Sequence, residues 1–230
     1  MVPNKLVAYY LYLILQFYLA AGISKDRIRF RILSETDRAF YSKAAFDLEV
    51  KLSVGWLELV ACNYRADYDL GRHSKVSGTD FSVEEEGEKV VPHVFELSMG
   101  IDRSLYAVLE SSMRVEGERN VLSLKPYLSP LKVGVFPLVN KDGLQELASR
   151  VESSLQETVD SFYDESGSIG RRYARADEAG VPFCVTIDYD SLKDGTVTLR
   201  NRDSREQERI GTDVLPQRLA GALAFPPIRG

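Results

Sequence analysis

Residues 6–23 (LVAYYLYLILQFYLAAGI) pass without a single charged side chain, and this run sets the first limit on what the chain can fold into. Its length approaches the ~20 residues that an α-helix needs to cross a bilayer. It follows a short basic start and ends in Ala20-Ala21-Gly22, as a secretion signal does. Against both readings stand Tyr9, Tyr10, Tyr12, Gln16 and Tyr18, whose polar tips are spread along the run in a way that suits a protein interior better than lipid. Residues 24–31 (SKDRIRFR) then read as a helix stop followed by an alternating strand, with no stop-transfer tail. The expectation is a core helix and no membrane segment.

Strand patterns dominate the stretch from 28 to 97. Residues 28–33 alternate basic and apolar side chains. Residues 46–52 (FDLEVKL) place Asp47, Glu49 and Lys51 on one face, and 56–61 (WLELVA) set Glu58 among apolar neighbours. Residues 74–88 are polar and contain glycine, which predicts a loop. A fourth strand is expected over 90–97, interrupted by Pro92, with a buried carboxylate, Glu96, towards its end. A helix is expected over 101–113 on a stripe of Leu105, Val108 and Leu109. Leu128-Ser129-Pro130 reads as a linker. Beyond it come a buried strand at 131–138 and a helix at 141–156 with Leu144, Leu147, Val151 and Leu155 on one side. Strands at 158–163 and 183–188 flank a helix at 169–178. Strands at 196–201 and 206–210 precede a last helix at 213–224. The fold class is α/β (α+β): an antiparallel sheet backed by helices over 1–128, and a layered mixed α/β domain over 131–230.

The formal net charge of −5 offers no global basic field, so any nucleic-acid contact must come from a local patch. Cys62 and Cys184 lie far apart in the sequence. Together with two histidines they are too few for a structural zinc site, and they make no disulfide framework. A reducing, cytoplasmic location is expected. His73 and His93 have no nucleophile beside them in the sequence pattern and are read as structural. The acidic run at 84–88 is read as a solvated loop.

The segment 91–103 (VPHVFELSMGIDR) carries the most chemistry. It reads as a strand that turns through Gly100 into a helix with Arg103 in its first turn, and this makes an anion site from helix-start N–H groups and a guanidinium. Glu96 and Ser98, two apart on one strand face, are placed to hold an ammonium group. Taken alone, Gly-x-x-Arg at a helix start is more often a cap with a surface ion pair. The basic residues Arg171, Arg172 and Arg175, and then Arg200, Arg202 and Arg205, form two clusters. They read either as solvated faces with ion pairs or as RNA-binding patches, with Tyr173 or Phe162 available for base stacking.

The segment 91–103 resembles motif 3 of class II aminoacyl-tRNA synthetases. Residues 78–103 and 54–70 (VGWLELVACNYRADYDL) are similar to the archaeal and eukaryotic type of glycyl-tRNA synthetase in particular. Residues 164–188 and 198–204 (TLRNRDS) resemble that family's anticodon-binding domain. The likeness runs from about residue 7 to 210, and motifs 1 and 2 of the family are absent from the sequence. It implies a partial class II sheet followed by an anticodon-binding domain, and a glycine–tRNA ligase activity that uses ATP and Mg2+. By the same resemblance, Arg103 contacts ATP phosphate, together with Gly100, Ile101 and Asp102. Glu58 and Leu59 belong to the ATP site, with Glu58 a Mg2+ ligand. Arg65 and the run Glu96, Leu97, Ser98, Met99 and Gly100 line the glycine pocket, with Glu96 and Arg103 as catalytic residues. Arg171, Arg172, Arg175, Arg200 and Arg202 are expected to meet tRNA. The implied partners are glycine, tRNA, and either a second copy in a homodimer or a complementing N-terminal half that brings motif 2. The sequence suits a split-gene half, a truncated frame, or a non-catalytic tRNA-binding accessory protein.

Overall fold

The computed structural model describes residues 5–227. The chain divides into two compact units between Ser111 and Ser112. The elements of the first are α1 (Lys5–Ala20), β1 (Ile28–Ile32), β2 (Ala44–Leu52), β3 (Gly55–Ala66), α2 (Tyr68–Ser77), β4 (Val83–Glu85), β5 (Glu88–Val90), β6 (Val94–Met99) and α3 (Ile101–Ser112).

The uncharged run forms α1, as expected of a core helix. Val7, Leu11, Ile14 and Tyr18 are buried at helical spacing, so the apolar side of the run has a protein partner. Among the described residues, no helix is long and apolar enough to cross a membrane. The partner is an antiparallel sheet of order β1-β2-β3-β6. Its inner face presents Phe46, Leu48, Val50, Val60 and Cys62, which form one cluster with α1 and with Ala107 of α3. Side chains alternate along each strand, so the opposite face collects the polar set.

Two features of this unit differ from expectation. Residues 74–88, read as a loop, contain the end of α2, the strand β4 and the start of β5, with which β4 forms a hairpin. α2 buries none of its residues, so it shows no apolar stripe for periodicity to find. It stops at Gly78, whose φ of 71° ends the helix in the left-handed conformation that glycine adopts without strain. The strand expected at 90–97 is divided between β5 and β6 around Pro92, which has no N–H for a ladder.

The second unit comprises β7 (Met113–Glu116), β8 (Arg119–Leu122), β9 (Val133–Pro137), α4 (Leu144–Gln156), β10 (Ser161–Tyr163), α5 (Ile169–Glu178), β11 (Phe183–Ile187), α6 (Ser191–Asp194), β12 (Thr196–Asn201), β13 (Gln207–Gly211) and α7 (Leu215–Leu223). Its sheet has the order β10-β9-β11-β12-β13. The first three strands are parallel and the last two antiparallel. Leu144, Ala148 and Leu155 of α4 and Leu215 and Leu219 of α7 pack on one side with Val133, Val185 and Leu199. On the other side, Ala176 of α5 packs with Phe136 and Cys184. A Cβ at Gly134 would lie 2.5 Å from the Phe136 ring, so this parallel strand needs a glycine where the ring folds back over it.

The compact division falls ahead of the expected linker because the β7-β8 hairpin, absent from the sequence reading, is tied to the second unit. Arg114 Nη2 donates to Asp203 Oδ1 at 2.7 Å, Arg205 pairs with Glu116, and Arg202 Nη2 donates to the Leu124 carbonyl at 2.6 Å.

Candidate functional site

The registers decide which side chains share the polar face of the first sheet. Arg31 faces Asp47, Asp47 faces Ala61 and Ala61 faces Ser98, while Glu96 faces Asn63. The ladder skips Leu59 between the Leu48–Val60 and Glu49–Glu58 pairs. This bulge keeps Glu58 on the same face as Glu49 and sends Leu59 into the core. Arg29, Arg31, Asp47, Glu49, Glu58, Asn63, Glu96 and Ser98 therefore form one charged surface on the side of the sheet away from α1.

Glu96 is two-thirds rather than fully buried, with a side chain 33% exposed, which corrects the expectation of a buried carboxylate. It is held by an ion pair. Arg65 Nη1 donates to Glu96 Oε2 at 2.7 Å, while Nε and Nη2 of the same guanidinium donate to Asp69 at 2.7 and 2.5 Å. Its hydrogen bonds to Asp69, and then to Glu96, raise the Arg65 pKa further above its ordinary value. The Arg65 fork fixes one carboxylate oxygen of Glu96 and leaves the other for a ligand.

Arg103 approaches from the first turn of α3. Gly100 N–H donates to the Leu59 carbonyl at 3.1 Å, anchoring the strand–helix turn to β3. Ser104 N–H and Oγ both donate to the Gly100 carbonyl, and Ser104 Oγ lies 2.8 Å from Tyr18 OH of α1. From this anchored turn Arg103 Nη1 donates to the Glu58 carbonyl at 3.1 Å and lies 3.9 Å from Glu58 Oε1. Arg65–Glu96 and Arg103–Glu58 are thus two ion pairs on one face, with Ser98 between them along the sheet. From Glu58 to Asn63, which faces Glu96, β3 runs for five residues, roughly 15 Å at strand rise. Leu97 and Met99 face Cys62 and Val60 on the other side of β6, so only their backbone is available to this surface. Ile101 and Asp102 stand exposed in the first turn of α3.

One residue of this face escaped the sequence reading as a site residue. Asp47 is only 6% exposed and has no hydrogen-bond or ion-pair partner among the described residues. Burial raises its carboxyl pKa above the ordinary value, Glu58 adds to the shift and Arg31 opposes it. Its alternation with Glu49 placed it on the polar face, but only the fold shows that Glu58 is its neighbour. No group of three or more His, Cys, Asp or Glu side chains among the described residues has the arrangement of a protein-only metal cage. The donor set of Asp47 and Glu58 suits a hard cation that keeps waters and shares phosphate ligands, as Mg2+ does.

In the second unit the arginines expected to form an RNA-facing patch separate sharply. Arg172, Arg200 and Arg202 are 2%, 5% and 2% exposed. Arg200 makes a bidentate pair with Asp177 at 2.8 and 2.9 Å. Arg202 donates to the carbonyls of Gly180 and Leu124 and to Asp203. Arg172 donates to the carbonyls of Pro137 and Gly167. These three guanidinium groups donate inward, to backbone carbonyls and to Asp177 or Asp203, so as placed here they brace the fold and present no exposed basic patch. Arg171 and Arg175 are exposed, and Arg175 pairs with Asp164 at 2.5 Å. Phe162 is packed against Phe136 with ring centroids 5.9 Å apart. Tyr173 OH lies 2.5 Å from Thr186 Oγ1. Beside Tyr173 a cavity of about 250 Å3 opens, lined by Leu138, Ile169, Thr186, Asp188, Thr198 and Gln207.

Comparison with known proteins shows what the chain is similar to. Residues 132–221 match the family described as an anticodon binding domain. The glycine–tRNA ligase of Agathobacter rectalis is 42% identical over 90% of this chain and 46% of its own length. That of Caldanaerobacter subterraneus subsp. tengcongensis is 43% identical over 89% of this chain and 45% of its own length. The glycine–tRNA ligase of Methanocaldococcus jannaschii is 35% identical over 93% and 52% respectively. The chain spans about half the length of the curated relatives it matches. Over about 90% of its length the chain is therefore similar to the C-terminal part of glycine–tRNA ligases, and the match to the anticodon binding domain lies in its second half.

Proposed function

We propose that the charged sheet face is the part of a glycine–tRNA ligase active site that holds glycine and the phosphates of ATP, and that the second unit engages tRNA. The observation that carries this reading is the pairing of Arg65–Glu96 with Arg103–Glu58 on one face around Ser98. The free oxygen of Glu96 and the Ser98 hydroxyl accept hydrogen bonds from the glycine ammonium. A side chain on the substrate would have to desolvate these polar groups without replacing their partners, which disfavours larger amino acids. A glycine carboxylate oxygen then bonds to the α-phosphorus of ATP, the bond to the β-phosphate bridge breaks, and pyrophosphate leaves. Arg103, fixed on the anchored turn, offers its charge to the phosphates without reorganisation. Glu58, with Asp47 beside it, would hold the Mg2+ that offsets phosphate charge. The terminal ribose hydroxyl of tRNA next attacks the activated carbonyl, its proton passes to the departing phosphate, and AMP leaves. The cavity beside Tyr173 has the size and polar rim for an unpaired base of the anticodon loop.

The test is glycine-dependent ATP–pyrophosphate exchange, run with the chain alone and with the N-terminal half of a related glycine–tRNA ligase. Exchange is expected at least in the mixture, and Arg103→Ala should lower it by on the order of 10²-fold, as for loss of one preorganised charge stabiliser. No exchange in either arm, with tRNA binding retained, would replace this reading with that of a non-catalytic tRNA-binding protein.

A further inference from the structure

Three aromatic rings crowd together beside the Arg65–Glu96 pair without a hydrophobic core around them. Phe40 meets Tyr41 and Tyr68 edge-on, with centroids 5.3 and 6.0 Å apart and interplanar angles of 74° and 73°. Tyr41 and Tyr68 lie 6.4 Å apart. Arg65 stacks over Tyr41 at 4.0 Å and Arg72 over Tyr68 at 4.4 Å. Phe40 itself is 86% exposed. With so little of it covered, most of the Phe40 ring is open to solvent.

The loop that carries Phe40 is pinned. Ser42 N–H donates to the Ala39 carbonyl at 2.9 Å, Ser42 Oγ donates to the Ala44 carbonyl at 2.8 Å, and Lys43 N–H donates to the Tyr64 carbonyl at 2.8 Å. Arg38 Nη1 crosses the loop to the Lys43 carbonyl at 2.6 Å. The exposure of Phe40 is therefore imposed by a braced turn. A phenyl ring held in water by its own scaffold, among rings already capped by guanidinium groups, is chemistry that receives a flat π ligand.

Charge narrows the ligand further. Arg38, Lys43, Arg65 and Arg72 are matched in the same region by Glu35, Asp37, Asp67 and Asp69, with ion pairs Arg38–Glu35, Lys43–Asp67 and Arg65–Asp69. Such a neutral surface does not track phosphates; its affinity must come from stacking. The Arg65 guanidinium touches both Tyr41 and Glu96, so a base on this platform lies next to the pocket proposed for glycine. We propose that Phe40, braced by Tyr41 and Tyr68, is a stacking platform for an unpaired nucleobase at the 3′ end of RNA, with its terminal ribose directed towards Glu96. This rests on the function proposed above and adds to it the residues that receive the acceptor end.

The test uses the full chain and a fluorescently labelled single-stranded oligoribonucleotide ending in CCA, followed by anisotropy. Phe40→Ala should weaken binding about tenfold, within the range for loss of one base–aromatic stack, and Phe40→Trp should retain it. Thermal unfolding of Phe40→Ala should match wild type, because the ring buries little. Binding should change little between low and moderate salt, in contrast to phosphate-tracking sites. Equal affinity of wild type and Phe40→Ala would overturn the platform, as would equally tight binding of a blunt RNA duplex or capture of a protein ligand in place of the oligonucleotide. The two readings fail separately. Normal glycine-dependent exchange with a Phe40-independent oligonucleotide removes only the platform. Phe40-dependent binding without exchange removes only the enzyme reading.

Discussion

Ionised groups with very different partners show how much individual residues decide in this chain. Asp177 and Arg200 are both buried and satisfy one another through two hydrogen bonds. Removing one partner leaves the other charge unpaired in the interior, which costs about 3–5 kcal/mol. Asp177→Ala should therefore destabilise the protein by about that much in denaturant unfolding. A loss below about 1 kcal/mol would mean that water reaches the arginine. Asp47 is the opposite case, a carboxylate buried without a partner, and its pKa is raised chiefly by desolvation. The neutral form is favoured by the fold, so ionisation subtracts stability as pH climbs from the ordinary value of 3.8 through the raised one. Asp47→Asn should leave thermal stability unchanged below that window and raise it above, by a margin that grows with pH until the wild-type carboxyl is fully ionised. Equal melting temperatures for variant and wild type at neutral pH would show that the charge is already solvated. A gain in stability paired with a loss of exchange activity would mark Asp47 as a residue kept for function against the interest of the fold.

At the scale of elements, legibility depends on whether a signal is local. α1 is legible because Val7, Leu11, Ile14 and Tyr18 recur at helical spacing, and the tyrosines speak against lipid. β2 and β3 are legible through alternation, which also puts Asp47, Glu49 and Glu58 on view as polar positions. α2 is not, because nothing in it is buried, and the β7-β8 hairpin is not, because its four-residue strands are too short to establish a period. The framework role of the buried arginines is hidden for a related reason. Arg202 finds the carbonyl of Leu124, 78 positions away, and Arg200 finds Asp177, 23 positions away, so neither partner shows in the local pattern. The β6-α3 turn is read from its resemblance to motif 3, and its anchoring through Gly100, Leu59 and Ser104 supplies the rigidity such a role needs. Ser104→Ala should loosen this anchor without removing any charge. A several-fold fall in exchange with an unchanged Michaelis constant for glycine is expected, because Arg103 and not the amino-acid pocket is disturbed. A change confined to glycine affinity would assign Ser104 a different role.

For the whole molecule, each unit buries one cysteine, Cys62 in the first and Cys184 in the second. Burial pushes both thiols up to about 12, so thiolate is scarce at physiological pH. A colourimetric thiol reagent should find neither in the native chain and both after unfolding in concentrated guanidinium. Reaction of one thiol before the other during a denaturant titration would report the order in which the two units open. The role proposed for the charged face of the first sheet is tested most directly by the steady-state kinetics of glycine-dependent pyrophosphate exchange by wild type and Glu96→Gln, with the N-terminal half of a related ligase present. The Michaelis constant for glycine should rise by about tenfold or more in the variant, the loss of a charged hydrogen bond to the ammonium, while that for ATP stays near wild type. An unchanged glycine constant in Glu96→Gln would contradict that role.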